Sequence, residues 1–194
     1  MFAVAAHFLP AKSSKNIFLL SALQIFGASL FLALCAQICI PLYFSPVPLT
    51  GQTFGVMFIG ATMGSRKGVL SVLAYLLEGS LGLPVFAGGW SSLGLMSLLG
   101  TNGGYFLGFI FQVFLVGSFI ERQTSFQVVK AVSVLLLSCA LQLGLGVVWL
   151  SAFVGFKSAL VMGLYPFLFG ELVKSMGVAA YLKKQYEKNS HLSG

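Results

Sequence analysis

A glutamate and a lysine stand three residues apart in Pro166-Phe167-Leu168-Phe169-Gly170-Glu171-Leu172-Val173-Lys174, inside an otherwise apolar stretch. A charge at the middle of a membrane helix costs roughly 2.5–3.5 kcal/mol on insertion scales, so such residues usually face a cavity or each other. On a helix, i and i+3 side chains point the same way. Glu171 and Lys174 would then offer an acceptor and a donor together to a small ligand with amide-like groups. The same spacing fits a salt bridge that fixes helix packing, or a lysine reaching toward the interface.

Glu78 lies beside Gly79, just ahead of a Pro- and Gly-rich segment. That position suits an interfacial or loop-anchoring carboxylate better than a catalytic one, although Glu78 and Glu171 together could perform acid–base chemistry. The segment Leu99-Gly100-Thr101-Asn102-Gly103-Gly104-Tyr105 opens an apolar run. Adjacent glycines at a helix start expose N–H groups suited to an anion, and Asn102 and Tyr105 add hydrogen-bonding groups. Close helix packing through small residues would select the same glycines. The sequence contains no Walker A pattern, no Gly-x-Ser-x-Gly elbow and no His-Glu-x-x-His pair, and its two histidines, His7 and His191, lie near the ends. ATP hydrolysis and most enzymatic chemistry therefore lack recognisable parts.

The elements that must position these residues are membrane helices. Of 194 residues, 58% are hydrophobic and 8% charged, against about 25% charged in soluble domains. Apolar length and Gly, Pro and charge punctuation predict six spans, near residues 17–43, 52–64, 68–83, 98–120, 127–153 and 158–183. The second and third are short for simple crossings. The whole chain, 1–194, reads as a single six-helix domain, with 1–16 and 185–194 as short cytoplasmic tails. Residues 1–16 lack the ordered regions of a signal peptide, so the first span is expected to persist. Cys35 and Cys39, four apart on the first predicted helix, read as small packing residues.

The formal charge of +7 comes from eleven basic against four acidic residues. Lys12, Lys15, Arg66, Lys67, Arg122, Lys130, Lys183, Lys184 and Lys188 fall on one side of this six-span topology, and Lys157 alone falls on the other. By the positive-inside rule both termini face the cytoplasm. Scattered among short loops, these basic residues do not form a nucleic-acid-binding stripe. On the outer side lie two loops rich in Pro and Gly, at 45–53 and 82–92, which could fold back as a lid or serve as tight connections.

The chain resembles the BioY family, the biotin-specific substrate-binding (S) components of energy-coupling-factor (ECF) transporters. The resemblance rests on Ile40-Pro41, Ser45-Pro46-Val47-Pro48-Leu49-Thr50 and Gln52-Thr53. It continues through Tyr75-Leu76-Leu77, Gly79 and Gly82-Leu83-Pro84-Val85-Phe86-Ala87-Gly88-Gly89, then Gly103-Gly104-Tyr105 with Gly108-Phe109, and ends with Pro166-Phe167, Gly170 and Lys174. Two positions depart from the family pattern. Thr101-Asn102 replaces a common Pro-Thr, and Glu171 replaces a common Asp.

The resemblance implies an all-α, six-helix membrane protein that binds biotin near the extracytoplasmic side. Glu171 and Lys174 would meet the polar end of biotin, with Asn102, Tyr105, Gln52 and Thr53 as polar neighbours and Phe86 and Trp90 as apolar wall. It also implies that small residues on the first helix, here Ser29, Ala33 and Ala36, dock against a transmembrane coupling subunit. That subunit and two ATPase subunits would supply the work, so ATP enters only through partners and no cofactor is expected. A bacterial cytoplasmic membrane is the implied location. A solitary vitamin carrier, an intramembrane enzyme using Glu78 and Glu171, and a membrane scaffold are the alternatives.

Overall fold

The computed structural model describes residues 14–89, 94–123 and 127–191. Helix α1 (Ser14–Gln37) leads into a two-residue antiparallel hairpin of β1 (Cys39–Ile40) and β2 (Leu49–Thr50). There follow α2 (Gln52–Ser80), the short α3 (Leu95–Leu99), α4 (Gly103–Arg122), α5 (Val128–Val154), α6 (Phe156–Gly163) and α7 (Tyr165–His191).

Helix α2 is not straight. Gly64 adopts φ 78° and ψ −175° in its middle, a conformation open to glycine because it has no Cβ. In a continuous helix Gln52 and Tyr75 would stand about 35 Å apart, yet Gln52 Nε2 donates to Tyr75 Oη at 2.6 Å. The chain therefore doubles back at Gly64 into two antiparallel arms of roughly 18 and 24 Å. Glu121, at the end of α4, clasps the reversal: its Oε1 accepts from the Ser65 N–H and its Oε2 from the Ser65 hydroxyl, each at 2.8 Å. A carboxylate there satisfies free N–H groups at the start of the second arm and complements its dipole.

Four stretches among the described residues are long and apolar enough to cross a bilayer: Ile17–Gln37, Gly103–Arg122, Val128–Val154 and Phe156–Lys188. The two arms of α2 are shorter and hold the interior, with Val56, Met57, Ile59, Val72 and Tyr75 buried. Helices α1 and α7 turn large apolar side chains outward, among them Phe18, Leu34 and Phe169, the last 77% exposed. Apolar surface of this extent suits lipid, not water.

Several predicted boundaries move. The first span stops at Gln37, because Cys39–Ile40 pairs with Leu49–Thr50. Cys39 is consequently off the helix that carries buried Cys35, and the two do not share a helical face. The fourth predicted span resolves into α3 and α4, with a break at residues 100–102. The sixth is interrupted at Leu164 (φ −120°, ψ −63°) and runs on to His191.

Candidate functional site

Glu171 and Lys174 face the interior of the bundle from α7, and they do pair: Lys174 Nζ lies 2.8 Å from Glu171 Oε1. Thr53, at the start of α2, stands between them. Its hydroxyl donates to Glu171 Oε1 at 2.6 Å and accepts from Lys174 Nζ at 2.8 Å. Lys174 also donates to the Thr50 carbonyl at 2.7 Å, which ties α7 to the first Pro- and Gly-rich loop. The other carboxylate oxygen, Glu171 Oε2, accepts from the Cys139 thiol on α5 at 3.3 Å. Glu171 is 3% exposed, so these contacts replace the water a buried carboxylate would otherwise need.

Gln52 builds the neighbouring wall. Its Oε1 accepts from Thr50 Oγ1 at 3.0 Å, its Nε2 donates to Tyr75, and the Tyr75 hydroxyl donates to the Val85 carbonyl at 3.2 Å. Phe86 follows in the second Pro- and Gly-rich loop, fully buried against Tyr75 and Phe106, with ring centroids 5.4 and 4.7 Å away. Both Pro- and Gly-rich loops thus fold inward. Val47 is buried among side chains of α4, α5, α6 and α7, and Ser45 Oγ donates to the Met162 carbonyl at 2.9 Å.

Tyr105 donates to the Gly163 carbonyl at 2.8 Å, beside the break between α6 and α7, and its ring lies against Phe167. Asn102 occupies the N-cap position of α4 without making a side-chain cap, and its Oδ1 is buried with no partner among the described residues. Of the eight predicted ligand residues, seven line one cavity: Gln52, Thr53, Phe86, Asn102, Tyr105, Glu171 and Lys174. The eighth, Trp90, lies outside the described residues. The cavity volume is ≈ 40 Å³.

Gly103 and Gly104 serve close packing. A Cβ on Gly104 would run into the Trp149 side chain and lie 2.5 Å from the Leu145 carbonyl of α5. Trp149 Nε1 in turn donates to the Gly100 carbonyl at 2.9 Å. The anion-cradle alternative is therefore displaced by a helix crossing.

Ser29 and Ala36 are 0% exposed, and Ala33 packs in part against the same core, so in this structure the small-residue face lies largely against the bundle. Small side chains there let α1 approach α2 closely. Glu78 accepts from Ser29 Oγ at 2.7 Å and is not among the cavity's lining residues. Ser29 and Glu78 join α1 to α2, so Glu78 and Glu171 form no acid–base pair.

Sequence reasoning missed Gln142, which lines the cavity from α5, and Cys139. A glutamine within the apolar run Leu141-Gln142-Leu143 was the available signal, since polar residues inside spans carry a cost.

The BioY family profile matches residues 11–190. A biotin transporter BioY of Thermotoga maritima is 37% identical over 169 residues, covering 85% of this chain and 96% of that protein. A probable biotin transporter BioY of Pyrococcus horikoshii is 37% identical over 150 residues, covering 76% and 86%. Among solved structures, the S-component for biotin from an ECF-type ABC transporter superposes with a TM-score of 0.78 at 28% identity, covering 90% of this chain and 94% of the other. The helical architecture, the inward-folded loops and the motif residues gathered at one cavity accord with these matches, and the chain belongs to the BioY family.

Proposed function

We propose that this chain captures biotin as the S component of an ECF transporter, with the cavity between α2, α4, α5 and α7 as its binding pocket. The observation that carries the reading is the convergence of Gln52, Thr53, Phe86, Asn102, Tyr105, Glu171 and Lys174 on one cavity walled by both outer loops. It is a transport protein and not an enzyme.

Biotin presents a ureido ring with two N–H donors and one carbonyl acceptor, an apolar thioether ring and chain, and a carboxylate. Glu171 and Lys174 meet its polar end, Gln52 and Thr53 flank them, and Phe86 supplies apolar wall. A cavity of ≈ 40 Å³ is far below the roughly 300 Å³ at which small-molecule pockets begin. Admission of biotin therefore entails widening. The first loop, held to α7 by the Lys174 bond to the Thr50 carbonyl, is the segment that lifts.

Counted as α1, the two arms of α2, α4, α5 and the α6–α7 pair, the chain crosses the bilayer six times with both termini in the cytoplasm. The asymmetry of its basic residues supports that orientation. The chain is a multi-pass membrane protein, placed in a bacterial cytoplasmic membrane. A transmembrane coupling subunit and two ATPase subunits supply the work, because the chain carries no Walker A motif of its own.

Biotin titration of the detergent-purified chain tests the pocket. Wild type binds saturably, and Glu171→Ala and Lys174→Ala bind at least about tenfold more weakly while remaining monodisperse. Unchanged affinity in both variants refutes the assignment.

A further inference from the structure

Gln142 sits in the middle of α5, 2% exposed, and its side chain lines the candidate pocket. Its Oε1 is buried with no partner among the described residues. Buried amide oxygens are nearly always hydrogen-bonded, so one that lines a cavity in an apolar span calls for an explanation. Gly108 of α4 fixes its place: a Cβ there would lie 2.8 Å from the Gln142 Cα and 2.9 Å from its Cγ. The backbone at Gln142 is therefore pressed directly against α4.

Gln112 offers an internal comparison. Its Oε1 is also unpartnered, but its Nε2 donates to Cys139 Sγ at 3.3 Å and it does not line the pocket. Gln112 is thus held through its amide N–H and stands outside the pocket lining. Gln142 has no hydrogen bond of that kind among the described residues, and it shares the pocket with a second buried acceptor unpartnered among them, Asn102 Oδ1. Asn is among the preferred N-cap residues because its oxygen usually accepts an N–H of the first turn. Asn102 makes no such bond, and that oxygen too is left for another donor.

We propose that Gln142 is a specificity-determining residue: its side-chain oxygen accepts a ring N–H of the bound ligand and, with Asn102, selects a ring bearing two N–H donors. The inference rests on the biotin reading and deepens it. Lys174 is the cation of this pocket and serves ligand acceptors, whereas the two amide oxygens serve donors. A ring lacking one N–H would leave a buried acceptor unsatisfied, and this is how polar pockets reject close analogues.

The test pairs protein and ligand changes. Wild type, Gln142→Met and Gln142→Leu are titrated with biotin and with the two lactam analogues in which one or the other ring N–H is replaced by CH2. Wild type is expected to bind both lactams about 10- to 100-fold more weakly than biotin. The Gln142 variants should lose a similar factor for biotin and bind biotin and one of the two lactams within about threefold of each other. Loss of binding to every ligand in a monodisperse variant refutes the specific role, as does wild-type affinity for biotin or full discrimination retained in both variants. Failure of wild type to bind biotin at all would instead refute the function proposed above.

Discussion

Lys174 on α7 donates at 2.7 Å to the main-chain oxygen of Thr50, 124 residues earlier in the chain, at the end of the first Pro- and Gly-rich loop. A charged side chain thus latches a loop through its backbone, a bond that substitution at residue 50 cannot remove. Lys174→Met keeps the apolar stem and deletes the donor. Hydrogen exchange over residues 42–51 should then rise, even without biotin, and exchange in α5 should stay as in wild type. An unchanged rate in the loop would show that the latch contributes nothing.

Glu121 holds the reversal of α2 from outside the pocket. Glu121→Ala leaves the first N–H groups of the second arm without their acceptor, a loss of about 0.5–2 kcal/mol by analogy with helix caps. Thermal unfolding in detergent should shift downward. Biotin affinity measured well below the transition should remain at the wild-type value.

Gly104→Val is expected to be worse. Its side chain would enter space held by Trp149 and the Leu145 carbonyl, and overpacking of this kind costs about 1–3 kcal/mol. The measurement is again unfolding in detergent. Gly144→Ala, on α5 but with nothing within 4 Å of the added Cβ, should leave the midpoint at or slightly above the wild-type value and serves as the control.

Orientation is open to a direct check. In a background with the three cysteines replaced, Lys157→Cys should react with an impermeant maleimide added to intact cells, while Arg66→Cys and Lys184→Cys should react only after permeabilisation. The reverse pattern would overturn the topology with both termini inside.

The legible parts of the sequence were those where chemistry and punctuation coincide. Glu171 and Lys174 stand out as charges in an apolar run, and Gly and Pro mark the loops that carry Phe86 and lead into Gln52 and Thr53. Less legible was which way a helix faces when its residues are apolar all round. At Ser29, Ala33 and Ala36 the small-residue spacing is the same whether the neighbouring helix belongs to the same chain or another. Likewise Gln142 belongs to no local motif, and its role depends on α5 lying against α4 at Gly108. The pairing of Cys39–Ile40 with Leu49–Thr50 is too short to leave any alternating pattern.

The chain of bonds from Thr50 through Gln52 and Tyr75 to Val85 has a mechanical consequence. One amide joins the two Pro- and Gly-rich loops, so pulling either away from the bundle loads the other through a buried, low-dielectric path in which each bond polarises the next. The loops should move as one cooperative body with a single opening rate, and cutting the link with Gln52→Leu should split that motion into two independent ones.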